Sequence, residues 1–192
     1  MIVYKIIRPL LYIWFTLKYK PIIINNKYIP KKGGAILAGN HTNNLDCLLL
    51  GYSTKRSIRF VAKNELLKGI KKVFFKSVGI IPVNRKIKDK SVIPSCLKVL
   101  KKEFLLGIFP EGTINKTNNP IMPFKKGTII MAKESGKPII PFAINGNYKK
   151  GQIKIIFDKP YYIKGEIEKE TIILERKVIE LIKDLGDKNE LH

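Results

Sequence analysis

The sequence predicts an α/β fold: a single-domain sandwich with a mostly parallel or mixed central sheet flanked by helices. Three observations carry this reading. Short apolar runs bounded by Gly, Pro or Asn have the length of buried strands. Segments with apolar residues at helical spacing lie between them, and alternation of the two is the signature of layered α/β architecture. The chain's 192 residues, 45% of them hydrophobic, suffice for one core without staples. No internal repeat or low-complexity linker divides it.

Residues 1–20, MIVYKIIRPLLYIWFTLKYK, form the first predicted helix. Its uninterrupted apolar part, 9–17, is too short to span a bilayer, which takes about 20 residues. Ile6, Ile7, Leu10, Leu11, Trp14 and Leu17 recur near helical spacing, with Lys5, Arg8, Lys18 and Lys20 around them. That pattern suits an amphipathic helix lying on a membrane surface, and equally a first helix packed on the domain. PIIINNKYI (21–29) reads as a strand stopped by PKKGG, and AILAG (35–39) as a short buried strand. NHTNN is a polar turn into a helix, LDCLLLGYS, and SIRFVAK (57–63) is a strand. A helix is expected over 64–79 with Asn64 as its cap, then a strand IIPV, then a helix over 88–102 that tolerates Pro94. FLLGIF is a strand running into PEGT; KKGTIIMAKESG is a helix; PIIPFAING and QIKIIFD are strands. The last helix, 168–185, carries a stripe of Leu174, Val178, Leu181 and Leu185 with Gly186 as its stop. The expected organisation is a membrane-associating helix at 1–20, one domain at 21–186 and a polar tail at 187–192.

Thirty-seven Lys+Arg against fifteen Asp+Glu give a net charge of +22. Such a charge favours an anionic partner: nucleic acid, an anionic membrane surface, or an acidic carrier or phosphorylated substrate. No recognisable DNA- or RNA-binding module accompanies it, so no specific nucleic acid is expected. The two cysteines, Cys47 and Cys96, lack zinc or disulfide spacing, and no metal site is evident.

Polar clusters follow three predicted strands, at 40–46, 84–86 and 110–116, and open α/β sheets place ligands beyond the carboxyl ends of strands. In GNHTNNLD, His41 is one of only two histidines, the other being His192 at the end of the chain. With His41 in the turn and Asp46 in the first helical turn, the carboxylate is in reach of Nδ1–H. That bond leaves Nε2 as a base. No G-x-S-x-G elbow supplies an enzyme nucleophile, so such a dyad suits activation of a substrate hydroxyl. The five-residue spacing alone also fits a structural histidine in a turn. In FPEGT, Gly112 permits close backbone approach, Thr113 can hold phosphate or hydroxyl groups, and Glu111 can accept from a polyol; Pro-x-Gly also simply makes turns. Arg85 in GIIPVNR is placed for phosphate recognition or is a solvated charge.

Taken together, these segments resemble the glycerolipid acyltransferases, specifically the 1-acyl-sn-glycerol-3-phosphate (lysophosphatidic acid) acyltransferases. NHTNNLD is similar to the family's N-H-x4-D block, AKNEL to its lysine-containing segment and GIIPVNR to its G-x-x-[FP]-[IV]-x-R block. FPEGT is its third block, and FKKGT followed by KPIIP resembles its fourth. The resemblance implies that His41 is the general base and Asp46 its orienting partner. It also implies that Lys63, Arg85 and Glu111-Gly112-Thr113 hold the glycerol phosphate of the acceptor. The implied reaction moves a fatty acyl group from acyl-CoA or acyl carrier protein to the sn-2 hydroxyl of lysophosphatidic acid, with no cofactor beyond the thioester. A peripheral or monotopic seat on the cytoplasmic face of the cell membrane goes with it. One departure is Ile114, where many relatives carry arginine; Lys116 lacks an arginine's fork. The alternatives are another acceptor, such as glycerol 3-phosphate or a different lysophospholipid, and a non-catalytic basic protein binding nucleic acid or lipid. His41→Ala or Asp46→Asn is expected to remove turnover and leave the fold intact.

Overall fold

The computed structural model describes residues 2–63, 79–83 and 91–187. Within them the strands are β1 (Ile22–Ile24), β2 (Ala35–Gly39), β3 (Ile58–Lys63), β4 (Ile81–Val83), β5 (Leu105–Ile108), β6 (Ile139–Ile144) and β7 (Lys154–Phe157). The helices are α1 (Ile2–Tyr19), α2 (Asp46–Tyr52), α3 (Val92–Lys101), α4 (Gly127–Ser135) and α5 (Ile167–Asp187).

The strands make one sheet in the order β1-β7-β6-β2-β5-β3-β4. β4, β3, β5, β2 and β6 run parallel; β7 pairs antiparallel with β6, and β1 parallel with β7. The sheet is therefore mixed, with a parallel body covered on both faces, as such sheets require. Strand alternation assigns the two faces. Ala35, Leu37, Leu105, Ile140, Phe142, Ile155 and Phe157 pack with Phe15 and Tyr19 of α1 and Leu49 and Leu50 of α2. Ile36, Ala38, Leu106, Ile108 and Ile139 face the other way, onto Cys96 and Leu100 of α3, Ile129 and Met131 of α4, and Leu174 and Val178 of α5.

Several boundaries differ from expectation. The strand foreseen over 21–29 is only three residues long, because Asn25 enters the left-handed region (φ 60°) and a 3-10 turn follows at Asn26–Tyr28. α3, expected over 88–102, starts at Val92, which puts Pro94 in its first turn, where a missing N–H costs nothing. α5 runs through Gly186 to Asp187, so Gly186 is not its stop. The helix expected over 64–79 lies almost wholly outside the described residues, as does nearly all of the tail.

No helix among the described residues is long and apolar enough to cross a membrane. On α1, Leu10 (65% exposed), Ile13 (55%) and Leu17 (67%) face outwards, while Phe15 and Tyr19 enter the core. Lys18 lies over the Trp14 ring at 5.1 Å. α1 thus has one face packed on the domain and another that is apolar and exposed.

Candidate active site

Because β5, β2 and β6 are parallel neighbours, their carboxyl ends open onto one edge of the sheet. The segments beyond those ends, 40–46, 109–115 and 145–148, build the site there. Gly39 closes β2 without a side chain, since a Cβ would lie 2.2 Å from the Phe142 carbonyl oxygen. The Asn40 side chain then replaces the ladder, donating to the Ile144 carbonyl at 2.9 Å and accepting the Ile144 N–H at 2.8 Å. This buried exchange frees the chain to turn. Asn43 shapes the turn by accepting the Leu45 N–H on its side-chain oxygen at 3.1 Å and the Asp46 N–H on its carbonyl at 3.1 Å.

His41 Nδ1 meets Asp46 Oδ2 at 2.8 Å. Asp46 is fully buried and opens α2. Its Oδ2 also accepts the backbone N–H groups of Thr42 (2.6 Å) and Asn43 (2.9 Å). Its Oδ1 accepts the hydroxyls of Thr42 (3.2 Å) and Tyr148 (2.5 Å). Oδ2, which already accepts two backbone N–H groups, faces Nδ1 as an acceptor, so Nδ1 carries the hydrogen of this bond and Nε2 is left as the basic nitrogen. The His41 ring lies flat on Phe109, with centroids 4.1 Å apart and planes 16° apart. Phe109 in turn meets Phe142 edge-on at 5.9 Å. A hydrogen bond and a ring face therefore fix both rotations of the imidazole.

The second block is bound to the first through the backbone. Glu111 accepts the His41 N–H at 2.7 Å and the Met122 N–H at 2.8 Å, and the His41 carbonyl accepts the Asn115 N–H at 2.8 Å. Burial raises the Glu111 carboxyl above its usual range, more than those two N–H donors lower it. Gly112 turns the loop at φ 75°, its N–H bonded to the Phe109 carbonyl at 2.9 Å.

A family model for acyltransferases matches residues 20–145, two thirds of the chain and all of the motif-bearing segments. The chain belongs to the acyltransferase family. It is 29% identical over 168 residues to a Bacillus subtilis protein named 1-acyl-sn-glycerol-3-phosphate acyltransferase, covering 83% of this chain and 82% of that one. Over 132 residues it is 35% identical to mouse glycerol-3-phosphate acyltransferase 3, covering 66% of this chain but 28% of the mouse protein. In fold it is similar to the crystal structure of the 1-acyl-sn-glycerophosphate acyltransferase PlsC from Thermotoga maritima. The TM-score is 0.79 at 22% identity, over 96% of this chain and 80% of that one.

In this acyltransferase the residues singled out in the sequence fall into three groups. His41, Asp46 and Glu111 converge in one bonded cluster, while Gly112 turns the same loop and Thr113 follows on its exposed side. Lys63 ends β3 opposite Val83 of β4, at the same edge of the sheet. Arg85, two residues beyond β4, lies outside the described residues. Phe109, Asn40 and Tyr148 carry parts of the site that sequence reasoning missed. Asn40 and Phe109 sit inside the quoted motifs, but Tyr148 comes from NGNYKKG, 102 residues from Asp46, with nothing local to mark it. Burial first, then the charge of Asp46 and the bond to it, raise the Tyr148 phenol, which keeps it a donor. Cys47, next to Asp46, is pushed up to about 12 by burial and then by that carboxylate, so it is a poor nucleophile here.

Proposed function

We propose that this acyltransferase moves a fatty acyl group from acyl-CoA or acyl carrier protein to the sn-2 hydroxyl of 1-acyl-sn-glycerol 3-phosphate, forming phosphatidic acid. The observation that carries the chemistry is the 2.8 Å bond from His41 to a fully buried Asp46, with no serine in the network among the described residues. Nε2 of His41 takes the acceptor's hydroxyl proton as that oxygen attacks the thioester carbonyl. The tetrahedral intermediate collapses with cleavage of the C–S bond, and the leaving thiolate receives the proton from the imidazolium. Asp46 stabilises the imidazolium in between, and no acyl-enzyme forms. Glu111 serves this step by holding the His41 backbone, while Gly112 and Thr113 line the acceptor's approach. Lys63 and Arg85, following neighbouring strands, bind its phosphate.

The membrane part of the reading rests on α1. Its uncovered apolar side chains seat it in the interface, at the cytoplasmic face of the cell membrane. The net charge of +22 draws the protein to anionic lipid, to the acceptor's phosphate and to an anionic donor.

The test is transfer of a labelled acyl group from acyl-CoA, and separately from acyl carrier protein, in anionic vesicles with wild type and His41→Ala side by side. Phosphatidic acid made from lysophosphatidic acid by wild type alone is the expected result. The mouse relative's name favours glycerol 3-phosphate as a second acceptor to be run in parallel. Product from glycerol 3-phosphate alone replaces the acceptor assignment, and product from His41→Ala removes the base.

A further inference from the structure

Asp46 is oriented from two sides by unrelated parts of the chain. Its own turn supplies Thr42 and Asn43, and the loop after β6 supplies the Tyr148 hydroxyl at 2.5 Å. That loop is held rigidly. Asn145 accepts the Lys154 N–H at 3.0 Å and donates to the Gln152 carbonyl at 2.7 Å. Gly146, at φ 72°, presses on Thr42, to which an added Cβ would come within 3.2 Å. The Tyr148 ring meets Tyr19, the last residue of α1, edge-on at 5.7 Å, and the Gly151 N–H bonds the Tyr19 carbonyl at 2.7 Å.

We propose that Tyr148 is a positioning residue of the reaction: its hydroxyl, given to Oδ1 of Asp46, fixes the carboxylate against His41 and tunes how readily the imidazole takes a proton. This rests on the base assignment above and extends it to a residue outside the family's motifs. Among the described residues the donors to Oδ1 are hydroxyls, Tyr148 and the longer Thr42 contact, whereas Oδ2 holds His41 and two backbone amides. Donation to Oδ1 withdraws negative charge from the carboxylate and fixes its plane. Without that donor the carboxylate attracts the imidazolium more strongly, so His41 holds its proton to higher pH, while the group is freer to rotate. Glu111, on the His41 backbone, and Cys47, beside Asp46, are ionisable groups that also face the dyad. Tyr148→Phe keeps the ring against Tyr19 and leaves both untouched.

The experiment compares Tyr148 with Tyr148→Phe in a His192→Ala background, where His41 is the sole histidine. Its proton NMR titration needs no substrate. The midpoint is expected to rise by roughly half a unit or more in Tyr148→Phe. In the acyl-transfer assay kcat falls about tenfold, and the acceptor KM changes by less than about twofold. An unshifted midpoint overturns the proposal, whatever the rate does, because a merely structural tyrosine changes stability and not the titration. The base assignment fails separately, through activity in His41→Ala.

Discussion

Glu111 holds the His41 backbone N–H at 2.7 Å with one carboxylate oxygen and the Met122 N–H at 2.8 Å with the other. The FPEGT block thus reaches His41 through the main chain, and Glu111 acts on the site by fixing where the NHTNN turn begins. Glu111→Gln turns an amide NH2 towards one of those N–H groups. We expect a kcat loss of about tenfold with a smaller change in KM, read from steady-state acyl transfer.

The same carboxyl makes stability depend on pH. Its folded-state affinity for a proton is raised by burial, so the native state binds more protons than the unfolded chain across the window between the two titrations. Stability therefore falls as pH rises from the ordinary carboxylate range through the raised value, and levels off above it. Urea midpoints taken at steps of pH check this: the decline in wild type is expected to shrink in Glu111→Gln.

At Asp46 the two obvious substitutions differ. In Asp46→Asn the remaining oxygen can serve His41, Thr42 and Asn43, while the new NH2 faces the Thr42 and Tyr148 hydroxyls, which can accept. That variant is expected to lose turnover at a cost of about 1 kcal/mol in stability. Asp46→Ala leaves the same amides without an acceptor and costs about 2 kcal/mol more. Thermal melts beside the activity assay separate charge from scaffold.

Two glycines make a matched pair for the packing argument. A Cβ on Gly39 meets the Phe142 carbonyl oxygen at 2.2 Å and its ring at 2.6 Å, so Gly39→Ala must push β2 from β6. A loss of about 3 kcal/mol follows. A Cβ on Gly51, inside α2, meets nothing within 4 Å, and Gly51→Ala is expected to stabilise by up to about 1 kcal/mol. Chemical denaturation of both variants reads the difference.

The exposed apolar face of α1 predicts vesicle binding. Trp14, 42% exposed, is the only tryptophan, so its fluorescence is expected to shift to shorter wavelength with anionic vesicles. A Leu10→Ser/Leu17→Ser double variant loses about 2 to 4 kcal/mol of that binding, measured by co-sedimentation.

The sequence by itself determined the layered class, most of the described strands and helices, and the pairing of His41 with Asp46. Those are local signals. Strand alternation and helical spacing follow from backbone geometry, and HTNNLD folds back on itself because Asn43 and Asp46 satisfy amides within four residues of their own. Where local chemistry competes, the reading failed: the strand over 21–29 was cut short by Asn25, and Gly186 continued a helix that α5's apolar stripe holds on β6 and β7. Only the tertiary structure decided that Glu111 grips the His41 backbone across 70 residues, that Phe109 supports its ring, and that Tyr148 completes Asp46 across 102. These contacts depend on β5, β2 and β6 lying side by side in parallel, and strand order is set by burial summed over the whole sheet. No residue's neighbours in sequence carry that information.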